Sequence, residues 1–102
     1  ADDEGDTGLP TEYVLYPNYP NPFNPSTTIM YDLPRAVHVK LEVYNILGQE
    51  IVTLVDAVQS AGSKQIVWNG RDAQNNPVTT GVYLYRLTAA NFQAVGKMLL
   101  LK

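Results

Sequence analysis

A chain of 102 residues with 45% apolar side chains is the size of one domain with one hydrophobic core. It has no cysteine, which excludes a disulfide framework and thiolate metal ligation, and no apolar run reaches the length that crosses a bilayer as a helix. The net charge of −3 is uneven: Asp2, Asp3, Glu4, Asp6 and Glu12 are five of the ten acids, so from Tyr13 onward the balance is 7 − 5 = +2, and the scattered basic residues exclude a surface that tracks a phosphate backbone.

Residues 1–12 read as a flexible acidic linker, since Asp, Glu, Gly and Thr offer little to bury against the cost of ordering. The D-x-D-x-D-G register of a calcium loop is missing there. The first ten residues also lack the basic and apolar regions of a signal peptide, so any export signal of that kind is expected outside this stretch. Residues 13–102 form the domain, and their apolar side chains recur with a period of two between turn residues. A short strand is expected around Tyr13 to Tyr16. Three prolines then fall within Tyr19 to Thr27, where fixed φ values and missing donors predict a rigid crossing between sheets, with Phe23 plugging the core.

Ile29, Tyr31 and Leu33 share a face until Pro34 stops the strand, and a first hairpin is expected near Arg35 and Ala36. In the next strand Val39, Leu41 and Val43 face inward while His38, Lys40, Glu42 and Tyr44 face solvent. Asn45 to Gln49, with Gly48 able to take a positive φ, predicts a second hairpin into the apolar run Ile51 to Val55. Ser60 to Ser63 reads as a loop before Lys64 to Trp68, whose indole is a major core element. Turn chemistry fills Asn69 to Pro77. Val82 to Thr88 turns Tyr83, Tyr85 and Leu87 to one face, and a last hairpin near Ala90 and Asn91 leads into Ala94 to Leu101. About seven antiparallel strands at this spacing predict an all-β, immunoglobulin/fibronectin-like β-sandwich.

No catalytic constellation can be assembled. The single histidine, His38, lies on an outward phase, which removes both a His-centred triad and a His-rich metal site. Asp32, Glu42, Glu50, Asp56 and Asp72 sit at strand ends or outward positions instead of converging on a cleft. No cofactor is expected. Tyr13, Tyr16, Tyr19 and Tyr44 are the tyrosines that a sugar-stacking platform would use, so a carbohydrate-binding accessory module is the alternative to a pure interaction role. Along Gly96 to Lys102 both phases are apolar: with Met98 and Leu100 inward, Leu99 and Leu101 point away from the core, where an edge strand usually carries charge. That pattern fits two readings: a docking surface, for which strand addition is one mode, or outward leucines packed under a neighbouring loop or tyrosine.

Four stretches carry a family resemblance. They are Tyr19-Pro20-Asn21-Pro22-Phe23-Asn24-Pro25-Ser26-Thr27-Thr28-Ile29, Val43-Tyr44-Asn45-Ile46-Leu47-Gly48-Gln49-Glu50, Gly81-Val82-Tyr83 and Lys97-Met98-Leu99-Leu100-Leu101-Lys102. In this order the chain from about Val14 to Lys102 resembles the C-terminal sorting domains of the type IX (Por) secretion system of Bacteroidetes. The segment from Trp68 to Arg86 is also similar to the immunoglobulin-like domain of flagellar hook-capping proteins. The first resemblance implies a non-catalytic secretion signal that follows a cargo domain, engages an outer-membrane translocon, and is cut from its cargo in the linker by a processing peptidase when the cargo is anchored to surface polysaccharide. It implies a monomeric module at the cell surface, with Gly81, Tyr83, Lys97, Leu99, Leu101 and Lys102 as recognition residues.

Overall fold

A computed structural model describes residues 8–102; most of the expected linker, residues 1–7, lies outside the described residues. Seven strands form: β1 (Val14–Leu15), β2 (Thr27–Leu33), β3 (Val37–Asn45), β4 (Glu50–Gln59), β5 (Gly62–Trp68), β6 (Gly81–Ala89) and β7 (Phe92–Leu100). They pair antiparallel in two sheets, one ordered β1-β2-β5 and the other β4-β3-β6-β7. This is the expected all-β sandwich. Its core is the inward phase of each strand: Ile29, Tyr31 and Leu33 from β2, Val39, Leu41 and Val43 from β3, Trp68 from β5, Tyr83, Tyr85 and Leu87 from β6, and Met98 and Leu100 from β7.

One connection differs from expectation. The turn at Arg35 and Ala36 is not a hairpin, because β2 bonds on its two sides to β1 and β5 and leaves no edge for β3. The chain crosses to the other sheet instead. Leu33 ends opposite Gly62 in one sheet while Val37 begins opposite Gln59 in the other, so the links β2–β3 and β4–β5 cross side by side. Ser63, expected in a loop, lies within β5 and donates its hydroxyl proton to the Asp32 carboxylate at 2.9 Å. The hairpins β3–β4 and β6–β7 form as expected. Register shifts opposite Leu41/Glu42 and Val43/Tyr44 insert extra residues into β4. These bulges let Ile51, Val52, Leu54 and Val55 all pack against the core, a departure from strict alternation that a regular strand would not allow.

The proline-rich crossing joins the two sheets. Tyr19 exchanges backbone bonds with Thr28 of β2, and Phe23 then pairs in parallel with Leu100 of β7. The Phe23 ring is buried 5.7 Å from that of Trp68, which in turn meets Tyr83 edge-on at 5.4 Å. The peptide bonds before Pro20, Pro22 and Pro25 are cis.

Candidate functional site

Alternation sends every second side chain of β3, β6 and β7 to the outer face of the four-stranded sheet. The register sets Val82 opposite Leu99, Leu84 between Tyr44 and Lys97, and Arg86 between Glu42 and Val95. At one end of the sheet the β3–β4 turn carries Ile46 and Leu47, exposed by 72% and 77%. Asn45 holds that turn by accepting the N–H groups of Leu47 and Gln49 on its side-chain oxygen, with Gly48 at φ 82°. Ile46 and Asn45 border a depression of about 180 Å³ with Thr79 to Tyr83. A second concavity, about 220 Å³, is lined by Tyr44, Gly48, Leu84, Arg86 and Val95. Together these residues make an aliphatic outer face with an aromatic and a cation at its centre.

The cation is held in place. Arg86 donates to Glu42 Oε1 at 3.1 Å and to the Tyr44 hydroxyl at 2.6 Å, and its guanidinium lies 5.0 Å from the centre of the Tyr44 ring. Lys40 approaches the other Glu42 oxygen at 3.6 Å. Glu42, expected to face solvent, lies on the outer side of β3 but is only 4% exposed, because these longer side chains roof it. Burial pushes its carboxyl pKa up, but hydrogen bonds from Tyr44 and Arg86 and the charges of Lys40 and Arg86 outweigh that, so it lies below the ordinary value. His38 is exposed beside Asp56 at 2.9 Å. Among the described residues, no group of three or more His, Cys, Asp or Glu could hold a metal ion.

Of the recognition residues read from the sequence, Gly81, Lys97, Leu99, Leu101 and Lys102 come together where β6 begins and β7 ends. Lys97 and Leu101 are exposed, Leu99 is half-buried beside Val82, and the Lys102 N–H donates to Thr80 Oγ1 at 3.2 Å. Tyr83 does not join this surface. It is 5% exposed, its ring packs on Trp68, and its hydroxyl donates to the Thr79 carbonyl at 2.7 Å. Its inward phase makes it a core residue. Between the Lys97 carbonyl and the Leu101 N–H strand addition meets groups already bonded, since Asn21 and Phe23 occupy the outward backbone positions there.

Sequence reasoning missed Ile46, Leu47, Leu84 and Val95; the signal available was that each sits on a polar-side phase or a turn yet is apolar. The four tyrosines of a sugar platform are dispersed. Tyr13 stacks on Phe92 at 5.4 Å, Tyr16 donates to Asp32, Tyr44 lies beneath Arg86, and Tyr19, 80% exposed, stands on the proline-rich crossing.

The two-sheet topology and the aromatic core define an immunoglobulin-like β-sandwich domain. The profile of the FlgD Ig-like domain matches residues 24–93. The chain belongs to that family. Among solved structures, dimeric latent PorU from Porphyromonas gingivalis superposes with a TM-score of 0.67 at 20% identity, over 87% of this chain and 9% of PorU. PorZ, described as an essential bacterial surface component of the type-IX secretion system of the same organism, gives 0.61 at 18% identity over 86% of this chain and 11% of PorZ. FlgD from Xanthomonas campestris, described through hook capping in flagellar assembly, gives 0.58 at 22% identity over 89% of this chain and 63% of FlgD. The chain thus spans a small part of PorU and PorZ and less than two thirds of FlgD, and at these identities the likeness is one of fold. No curated protein matches the chain.

Proposed function

We propose that this domain is a non-catalytic addressing module, a sorting signal that directs an attached cargo protein through the outer membrane to the cell surface by way of a type IX secretion translocon. The observation that carries this reading is the aliphatic outer face of the four-stranded sheet, where Leu99 and Val82 adjoin Leu84, Val95 and Ile46. A sandwich with no further role would keep such a face polar. The similarity in fold to parts of PorU and PorZ supports the same secretion context. On this reading Lys97, Leu99, Leu101, Lys102 and Gly81 belong to the recognised surface, the partners are the translocon and a processing peptidase, and the module works as a monomer. The linker, residues 1–12, is where the peptidase would separate it from its cargo.

The test is a fusion of residues 1–102 behind a reporter that carries a periplasmic export signal, produced in a host with the secretion system. Appearance of the reporter at the surface or in the medium, dependent on the translocon, is the expected result. Retention of the fusion in the periplasm would sink the proposal.

A further inference from the structure

An edge strand offers a row of unpaired backbone groups to any strand that approaches. β7 is such an edge, and its pairing with β6 runs without a bulge from Gly81↔Leu100 to Ala89↔Phe92. Leu99 bonds away from β6: its N–H donates to Asn21 Oδ1 at 2.9 Å, and its carbonyl accepts from Phe23 N–H at 2.9 Å. Antiparallel neighbours alternate between bonded and unbonded pairs, so Gln93, Val95 and Lys97 share this outward phase with Leu99. The Lys97 carbonyl accepts from Asn21 Nδ2 at 3.4 Å, and the Leu101 N–H donates to the Phe23 carbonyl at 3.0 Å. One acceptor and one donor of the Asn21 side chain therefore stand where the peptide group of a further strand would lie.

We propose that Asn21 is an edge cap that keeps β7 from pairing with the β7 of a second copy of this chain. Phe23 covers only the Leu99 carbonyl and the Leu101 N–H. Without the Asn21 carboxamide, the free outward run would extend from Gln93 to the Leu99 N–H. A second copy fits that run because the edge is self-complementary about a twofold axis. Two antiparallel β7 strands with Val95 opposite Lys97 set outward groups against outward groups within that run, keep the two Lys97 charges from facing each other, and bring Gln93 opposite Leu99. The outcome is one continuous eight-stranded sheet. This inference concerns the edge itself and stands apart from the addressing role.

Asn21→Ala, with Asn24→Ala in the same exposed crossing as the control, tests it by amide exchange and sedimentation velocity. The expected result is exchange at Leu99 faster by about tenfold or more in dilute, monomeric protein, the loss of one hydrogen bond, and a dimer at higher concentrations where the parent and the control are still monomers. Adding Val95→Lys, which sets a charge on the paired edge, should restore the monomer. Unchanged exchange at Leu99, or fast exchange in a chain that stays monomeric, overturns the proposal. Asn21→Ser, too short to span both groups, gives the same readout should the alanine variant not fold.

Discussion

Glu42 shows how one carboxylate can sit on the solvent side of a sheet and still leave water. Arg86 across the strands and Tyr44 two residues along the same strand reach over it and supply its hydrogen bonds, while Lys40 adds charge. A buried carboxylate is tolerated on those terms only, since removing one partner strands the other. Its pKa in the folded state lies below the ordinary value of 4.5. The sign follows: the stabilisation is present above the unfolded-state value and is lost as pH falls through the lower folded-state value. Glu42→Gln is expected to be less stable than the parent at pH 7 and to lose less stability on acidification to pH 3. Urea midpoints at the two pH values check this, and an equal acid loss in both proteins would contradict it. Alternation told which side of β3 Glu42 occupies; the roof over it depends on β6, 44 residues away.

At the scale of elements, β6 and β7 are locked to β1 through one close approach. The Tyr85 side chain passes over Gly96 to place its hydroxyl at the chain beyond β1, donating to the Tyr16 carbonyl at 2.9 Å and accepting the Asn18 N–H at 3.0 Å. A Cβ on Gly96 would lie 2.1 Å from Tyr85 Cζ. Gly96→Ala is therefore expected to cost about 1–3 kcal/mol through overpacking and displacement of the ring. Chemical denaturation measures it, and a change within a few tenths of a kcal/mol would mean that the ring relaxes freely. Hairpins β3–β4 and β6–β7 were legible because their turn residues and register are local. The β2–β3 link was not, since Pro34 ends a strand equally well before a hairpin or a crossing, and the choice rests on β5 having taken the edge of β2.

For the whole molecule, stability and the proposed recognition are carried by opposite faces of the same strands. Met98, Leu100, Tyr83 and Leu87 fill the core, whereas Leu84 and Leu99 lie on the outer face. Deleting Lys97 to Lys102 would remove Met98 and Leu100 from the core and so confound folding with addressing. The double variant Leu84→Ser with Leu99→Ser avoids that. It is expected to keep the thermal midpoint within a few degrees, a loss on the order of 1 kcal/mol or less for partly exposed positions, while the secreted fraction of the reporter fusion drops severalfold. Secretion at the parent level by a folded double variant would count against the outer face as the recognised surface.

The period-two pattern by itself determined the strands, the inward residues and the sandwich class, because the direction of a side chain from a strand is a local consequence of the pleat. It also located the end of β7 as a place where leucines point outward. Tertiary structure alone decided which strands share a sheet, that Glu42 is covered, and that Asn21 closes the β7 edge across a separation of 78 residues. Each of these depends on which backbone edges remain free after the other strands have paired, and that is a property of the assembled sheets.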